Sequence, residues 1–143
     1  MYFKNQYSFK FILKHVRRRK QSMDFEMMID ETKAFLERNC RNECTATALF
    51  TDKGNLHIAR CNMITNCCGK TDDDFSILND LIESGESRIL RMITLIKQGD
   101  RIGLDLPCEW LRNLICEMND DNANTEVRGT TGEMKLLKDF VIP

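Results

Sequence analysis

Two short strand-forming runs, separated by a single turn, constrain this chain more than any other feature. Residues 45–51 (TATALFT) favour a strand, with three β-branched threonines among apolar side chains. In residues 56–61 (LHIARC), Leu56, Ile58 and Arg60 alternate with His57 and Ala59. Asp52-Lys53-Gly54-Asn55 between them has turn chemistry, with Gly54 suited to positive φ. An antiparallel β-hairpin is the expected result. Any sheet built around it must then accommodate the helical segments that flank it.

Those segments follow from apolar spacing. Residues 23–39 place Phe25, Met28, Ile29, Phe35 and Leu36 on one helical face, with Glu26, Asp30, Glu31, Lys33 and Glu37 opposite. Asn62 to Thr71 reads as loop. Asp72, Asp73 and Asp74 open a second helix, because acids suit the positive end of a helix dipole. Its expected stripe is Phe75, Leu78, Leu81 and Ile82, and Gly85 ends it. Residues 88–96 (RILRMITLI) suit a buried central strand. Pro107 is expected to open a third helix, with Trp110, Leu111, Leu114, Ile115 and Met118 on its apolar face. Residues 119–124 (NDDNAN) form a turn cluster, 125–128 a short strand and 132–140 a short final helix. The order is α-β-β-α-β-α-β-α, which implies a mixed sheet with helices on both faces.

Composition fits one domain. The chain has 143 residues, 42% hydrophobic and 30% charged, as in ordinary soluble globular proteins. With 7 Gly, 2 Pro and no repeated tract, collagen-like and low-complexity classes are excluded. No run of about 18 apolar residues is present, so no transmembrane helix is expected. Charge is unevenly distributed. Residues 1–22 hold seven basic residues (Lys4, Lys10, Lys14, Arg17, Arg18, Arg19, Lys20) and no acid. The remainder has 14 basic residues against 22 acids, a net of −8. Such a body does not suit phosphate backbones, so nucleic-acid binding would fall to the arm alone.

The domain is expected to span 23–143, behind a basic N-terminal arm at 1–22. That arm resembles a mitochondrial targeting segment in its arginine cluster and lack of acids, but its serines are sparse. A disordered basic tail and a start assigned upstream of Met23 are the other readings. Seven cysteines (Cys40, Cys44, Cys61, Cys67, Cys68, Cys108, Cys116) and no visible secretory signal imply free thiols in a reducing compartment. The expected location is intracellular: cytoplasmic, or mitochondrial if the arm directs it there.

From Met23 onward the chain resembles the small cytidine deaminases, including the blasticidin-S deaminase branch. The hairpin TALFTDKGNLHIARCN is similar to that family's Ala-Ala-Leu … Asp-Gly … Asn segment. Gly69-Lys70-Thr71 stands where the family has Gly-x-Thr before its first metal helix. Leu106-Pro107-Cys108 stands where it has Ser-Pro-Cys before the second. The ending Thr131-Gly132-Glu133-Met134-Lys135-Leu136-Leu137 is similar to the family's closing Glu-Leu-Leu-Pro. The resemblance implies an α/β protein, with a three-layer α/β/α cytidine deaminase-like fold and a mixed central sheet.

It also implies a zinc site, and here the chain departs from the pattern. The family's zinc is held by His or Cys and two further cysteines, and a glutamate shuttles protons to and from the activated water. Aligned on Gly69, Asp73 takes the first ligand position and Phe75 that of the proton shuttle. Cys108 is kept, but Leu111 occupies the third ligand position. No Cys-x-Glu, His-x-Glu or Cys-x-x-Cys occurs anywhere, so no shift of register restores the motif. Asp73 and Cys108 give at most two ligands, where a catalytic zinc takes three protein ligands and a water. Of the residues that would read the ribose, Asn62 matches, Ile64 replaces a glutamate and Glu43 replaces a phenylalanine. Together they would form a vestigial nucleoside pocket. Arg112 and Asn113 follow the second motif and are expected to contact backbone or a neighbouring helix.

The remaining signals have plain explanations. Cys67 and Cys68 are adjacent, and adjacent cysteines rarely act as separate ligands of one zinc; Asp72-Asp73-Asp74 is an ordinary helix start. His57 lies in a strand, His15 in the arm, and Trp110 in the core or a subunit contact. There is no glycine-rich phosphate loop. The expected function is therefore a catalytically inactive relative of cytidine deaminase, with no cofactor and a binding or assembly role. It would form a homo-oligomer, or a hetero-oligomer with an active homologue, and retain a nucleoside as a conceivable ligand. The alternative is a divergent zinc-dependent deaminase using Asp73, Cys108 and Cys67 or Cys68.

Overall fold

The computed structural model describes residues 23–61 and 72–140. Helix α1 (Phe25–Asn39) begins at Asp24, whose carboxylate accepts from the Met27 amide at 3.0 Å. That is an N-cap, and it relieves one of the unpaired amides of the first turn. Phe25, Met28, Thr32 and Leu36 are buried, one per helical turn. Thr32 would be costly there unpaired, and its hydroxyl donates to the Met28 carbonyl at 2.7 Å. Three donors serve the helix's last carbonyls. The Cys40 amide reaches Leu36, Asn39 Nδ2 reaches Phe35, and Arg60 Nη1 reaches Asn39 from the neighbouring strand at 2.9 Å.

Strands β1 (Glu43–Thr51) and β2 (Leu56–Cys61) form the expected hairpin, with Ala48 opposite Ile58 and Phe50 opposite Leu56. Gly54 has φ of 82° in the turn. Helix α2 (Asp72–Ser84) ends as expected at Gly85, which has φ of 74°. The Gly85 amide donates to Ile82 O and the Glu86 amide to Leu81 O, a Schellman closure that only a left-handed residue permits without strain. The apolar stripe of α2 is placed differently from expectation. Ile77 and Leu81 are buried, whereas Ile82 is 69% exposed, because the face against the sheet is centred one residue earlier.

Strand β3 (Ile89–Gln98) is the centre of the sheet, and β4 (Arg101–Asp105) is a strand the sequence reading did not assign. It returns antiparallel along the last half of β3 after a turn in which Gly99 has φ of 63°. Helix α3 (Glu109–Met118) starts two residues after Pro107, with Cys108 as its N-cap residue. Proline thus precedes the helix instead of occupying its first position. A 3₁₀ turn (Asp120–Asn124) leads to β5 (Glu126–Arg128). The final helix expected over 132–140 is replaced by strand β6 (Met134–Leu136) and a 3₁₀ turn (Leu137–Phe140). Gly132 (φ 87°) and the Gly129 amide-to-Glu133 carbonyl bond turn the chain back, so that residues 134–136 pair with β5.

The six-stranded sheet runs β2-β1-β3-β5-β6, with β4 also on β3. Only β3 and β5 are parallel. The sheet is therefore mixed, as expected. On one face, Ala46, Ala48, Phe50, Ile93 and Leu95 pack with Met28 and Leu36 of α1. On the other, Leu49, Met92 and Val127 pack with Ile77 and Leu81 of α2 and Leu111 and Ile115 of α3. This gives three layers, α/β/α. Among the described residues, cysteine use departs from the free-thiol expectation where Cys40 and Cys44 are joined, because the turn between α1 and β1 brings their Cα atoms to 6.4 Å. Cys108 and Cys116 are free.

Candidate functional site

Both helices of the second face finish near the hairpin turn. Helix α2 is followed by Glu86, which bonds Thr51, and α3 is followed by Asn122, which bonds Ile89 at the start of β3. The helices therefore run in the same direction, and their first turns lie toward the opposite end of the sheet. The candidate site is assigned to those first turns. Asp73 and Phe75 lie in the first turn of α2, but their side chains, like all of Asn62, Ile64, Cys67 and Cys68, lie outside the described residues.

On α3 the site is well defined. Cys108 is half-buried at the N-cap and makes no side-chain capping bond. Leu111, one turn later, is 7% exposed and lies in the apolar cluster with Leu81, Met92 and Ile115. A branched hydrocarbon there offers no lone pair to a cation. Among the described residues, no three His, Cys, Asp or Glu side chains form a group able to hold a metal. The donor set of α3 thus does not fit a catalytic zinc, which takes three protein ligands. Glu43 is exposed at the start of β1 and lines an open crevice with Cys40 and Arg60. Arg112 makes the expected backbone contact: its Nε donates to the Pro107 carbonyl at 2.9 Å, and its guanidinium lies over Phe140 at 5.1 Å. On the sheet face that carries α2 and α3, the hydroxyls of Thr47 and Thr94 pair at 2.8 Å.

The strongest polar clusters lie at the other end, and the sequence reading missed them. Glu86 is buried, its side chain 1% exposed. It accepts from the Thr51 hydroxyl, from Asn55 Nδ2 at 3.1 Å and from His57 Nε2 at 3.2 Å. Burial pushes its carboxyl up, but hydrogen bonds from His57, Thr51 and Ser84 outweigh that and draw it down to about 2. It stays ionised at neutral pH and holds no proton to give. Fully buried Asn122 accepts from the Ile89 amide at 2.8 Å and donates to the Ser87 and Ile115 carbonyls. The only local signal for either residue was a polar side chain beside a turn, which seldom distinguishes a buried partner from a solvated one.

No family model matches the chain, and no curated protein matches it. Solved structures do. The cytidine deaminase from Bacillus anthracis superposes with a TM-score of 0.62 at 14% identity, over 80% of this chain and 84% of that one. The cytidine deaminase from Mycobacterium leprae gives 0.57 at 16%, over 78% and 94%. A single-residue variant of the Mycobacterium tuberculosis enzyme gives 0.58 at 16%, over 82% and 90%. At such identities the likeness is one of fold. The chain has a cytidine deaminase-like fold, and no helix of the described residues is long and apolar enough to cross a membrane.

Proposed function

We propose that this protein is a catalytically inactive member of the cytidine deaminase fold, with a binding or subunit-assembly role. One observation carries the reading: buried Leu111 stands three residues after Cys108, where the family it resembles has its second metal cysteine. A water activated by zinc needs the full ligand set, and the alignment supplies at most Asp73 and Cys108. Phe75, at the shuttle position, has no group that exchanges protons. Proton transfer alone contributes roughly 10²–10⁴-fold to such reactions, so its loss compounds that of the metal.

Zinc content of the purified chain, measured beside a cytidine-to-uridine absorbance assay, tests this directly. The expected result is substoichiometric zinc and no turnover. One zinc per chain with turnover abolished by Cys108→Ala would overturn the reading in favour of a divergent zinc deaminase. Assembly with itself or with an active homologue is the expected use of the retained fold. Light scattering after size exclusion that finds only monomer, with and without that homologue, would count against it.

A further inference from the structure

Cys40 and Cys44 belong to no part of the proposed site. Cys40 directly follows α1 and Cys44 is the second residue of β1, and the turn between them holds the pair in bonding position. A Cα separation of 6.4 Å falls within the span a disulfide bridges, about 4.4–6.8 Å. The two residues differ in exposure. Cys44 is 5% exposed and sits in the apolar core beneath α1. Cys40 is half-buried, and both cysteines line an open crevice of about 1000 Å³ with Glu37, Arg38, Arg41, Glu43 and Arg60. Three guanidiniums against two carboxylates leave that crevice net positive. Accessible, electropositive surroundings favour a reactive thiolate. Cys116 differs: burial and then Glu117 push its thiol up, and it has no bonded partner.

We propose that Cys40 and Cys44 form a reversible dithiol–disulfide site, oxidised by an anionic low-molecular-weight disulfide such as glutathione disulfide. Cys40 thiolate attacks one sulfur of the oxidant, breaking its S–S bond. A Cys40 mixed disulfide forms, and one glutathione leaves as thiolate. Cys44 then loses its proton and attacks the Cys40 sulfur, releasing the second glutathione. Two protein thiols are oxidised, one disulfide is reduced to two thiols, and the two protons lost by the protein are taken up by the glutathiones. The bond staples the end of α1 to β1 beside the Arg60 contact, so its state sets how firmly that end is held.

The full chain, equilibrated at graded ratios of reduced to oxidised glutathione, would be acid-quenched, alkylated and mapped by peptide mass. Cys40 and Cys44 should lose their labels together, with the square dependence on reduced glutathione of a two-electron exchange, while Cys108 and Cys116 stay labelled. Cys44→Ala should accumulate glutathione on Cys40, and Cys40→Ala should modify Cys44 at least ten-fold more slowly. Should a variant fail to fold, the wild-type time course serves: the transient adduct must sit on Cys40. A pair that never closes at any ratio, equal adduct rates at the two positions, or a transient adduct on Cys44 would overturn the proposal.

Discussion

The two ends of the central sheet treat polar side chains in opposite ways. At the hairpin end, Glu86 and Asn122 are buried and fully bonded, holding the β1–β2 turn, the start of β3 and the segment after α3 together. At the end where α2 and α3 begin, the described positions of α3 are a half-buried thiol and a buried leucine. Their contrast shows that a buried charge is no signpost to chemistry. A carboxylate whose oxygens accept from Thr51, Ser84, Asn55 and His57 has no acceptor site left for a substrate. It serves the fold because its removal leaves several donors unmet in a dry place.

This contrast can be tested from the sparse end first. Combining Asp73→Cys, Phe75→Glu and Leu111→Cys should restore the metal pattern and raise bound zinc to about one per chain, since structural and catalytic zinc sites need three or four such ligands. Metal analysis checks this, and a folded triple variant that takes up no zinc would refute the assigned register. Next in size is Asn122→Leu at the bonded end. It strands the Ile89 amide and two carbonyls, and should cost about 3–4 kcal/mol in urea unfolding.

Glu86→Gln should follow, on the order of 2–3 kcal/mol at neutral pH. The folded carboxyl lies near 2, below its usual 4.5, so its stabilisation is complete above 4.5 and is lost as pH falls from there through 2. Unfolding measured from pH 7 to pH 2 should show a steeper acid decline in the wild type than in the variant. Parallel declines would remove Glu86 from the account. Arg112→Ala should be smallest, about 0.5–1 kcal/mol, because its guanidinium bridges a backbone carbonyl and an aromatic ring at a half-buried position.

Much of the architecture was legible locally. The Gly54 and Gly85 turns and the apolar spacing of α1 and α3 are encoded within a few residues of where they act. Residues 134–136 were not legible in this way. Met-Lys-Leu favours a helix by propensity, and pairing with β5 made it a strand instead. The same holds for β4, which exists because β3 offers an edge for Ile102 and Leu104 to cover. Cys40 and Cys44 read as two free thiols until the α1–β1 turn set their sulfurs together.

At the candidate site the division runs the other way. The absence of Cys-x-x-Cys and of His-x-Glu or Cys-x-Glu is a property of the chain alone, since no folding can supply an atom that a side chain lacks. Which polar groups are buried, and against what, was decided only in three dimensions. Glu86 meets Thr51 across 35 residues and Asn122 meets Ile89 across 33, and contacts that distant arise only after the layers have packed. Residue chemistry sets what a position can donate or accept, while tertiary packing sets whether water or another side chain answers it.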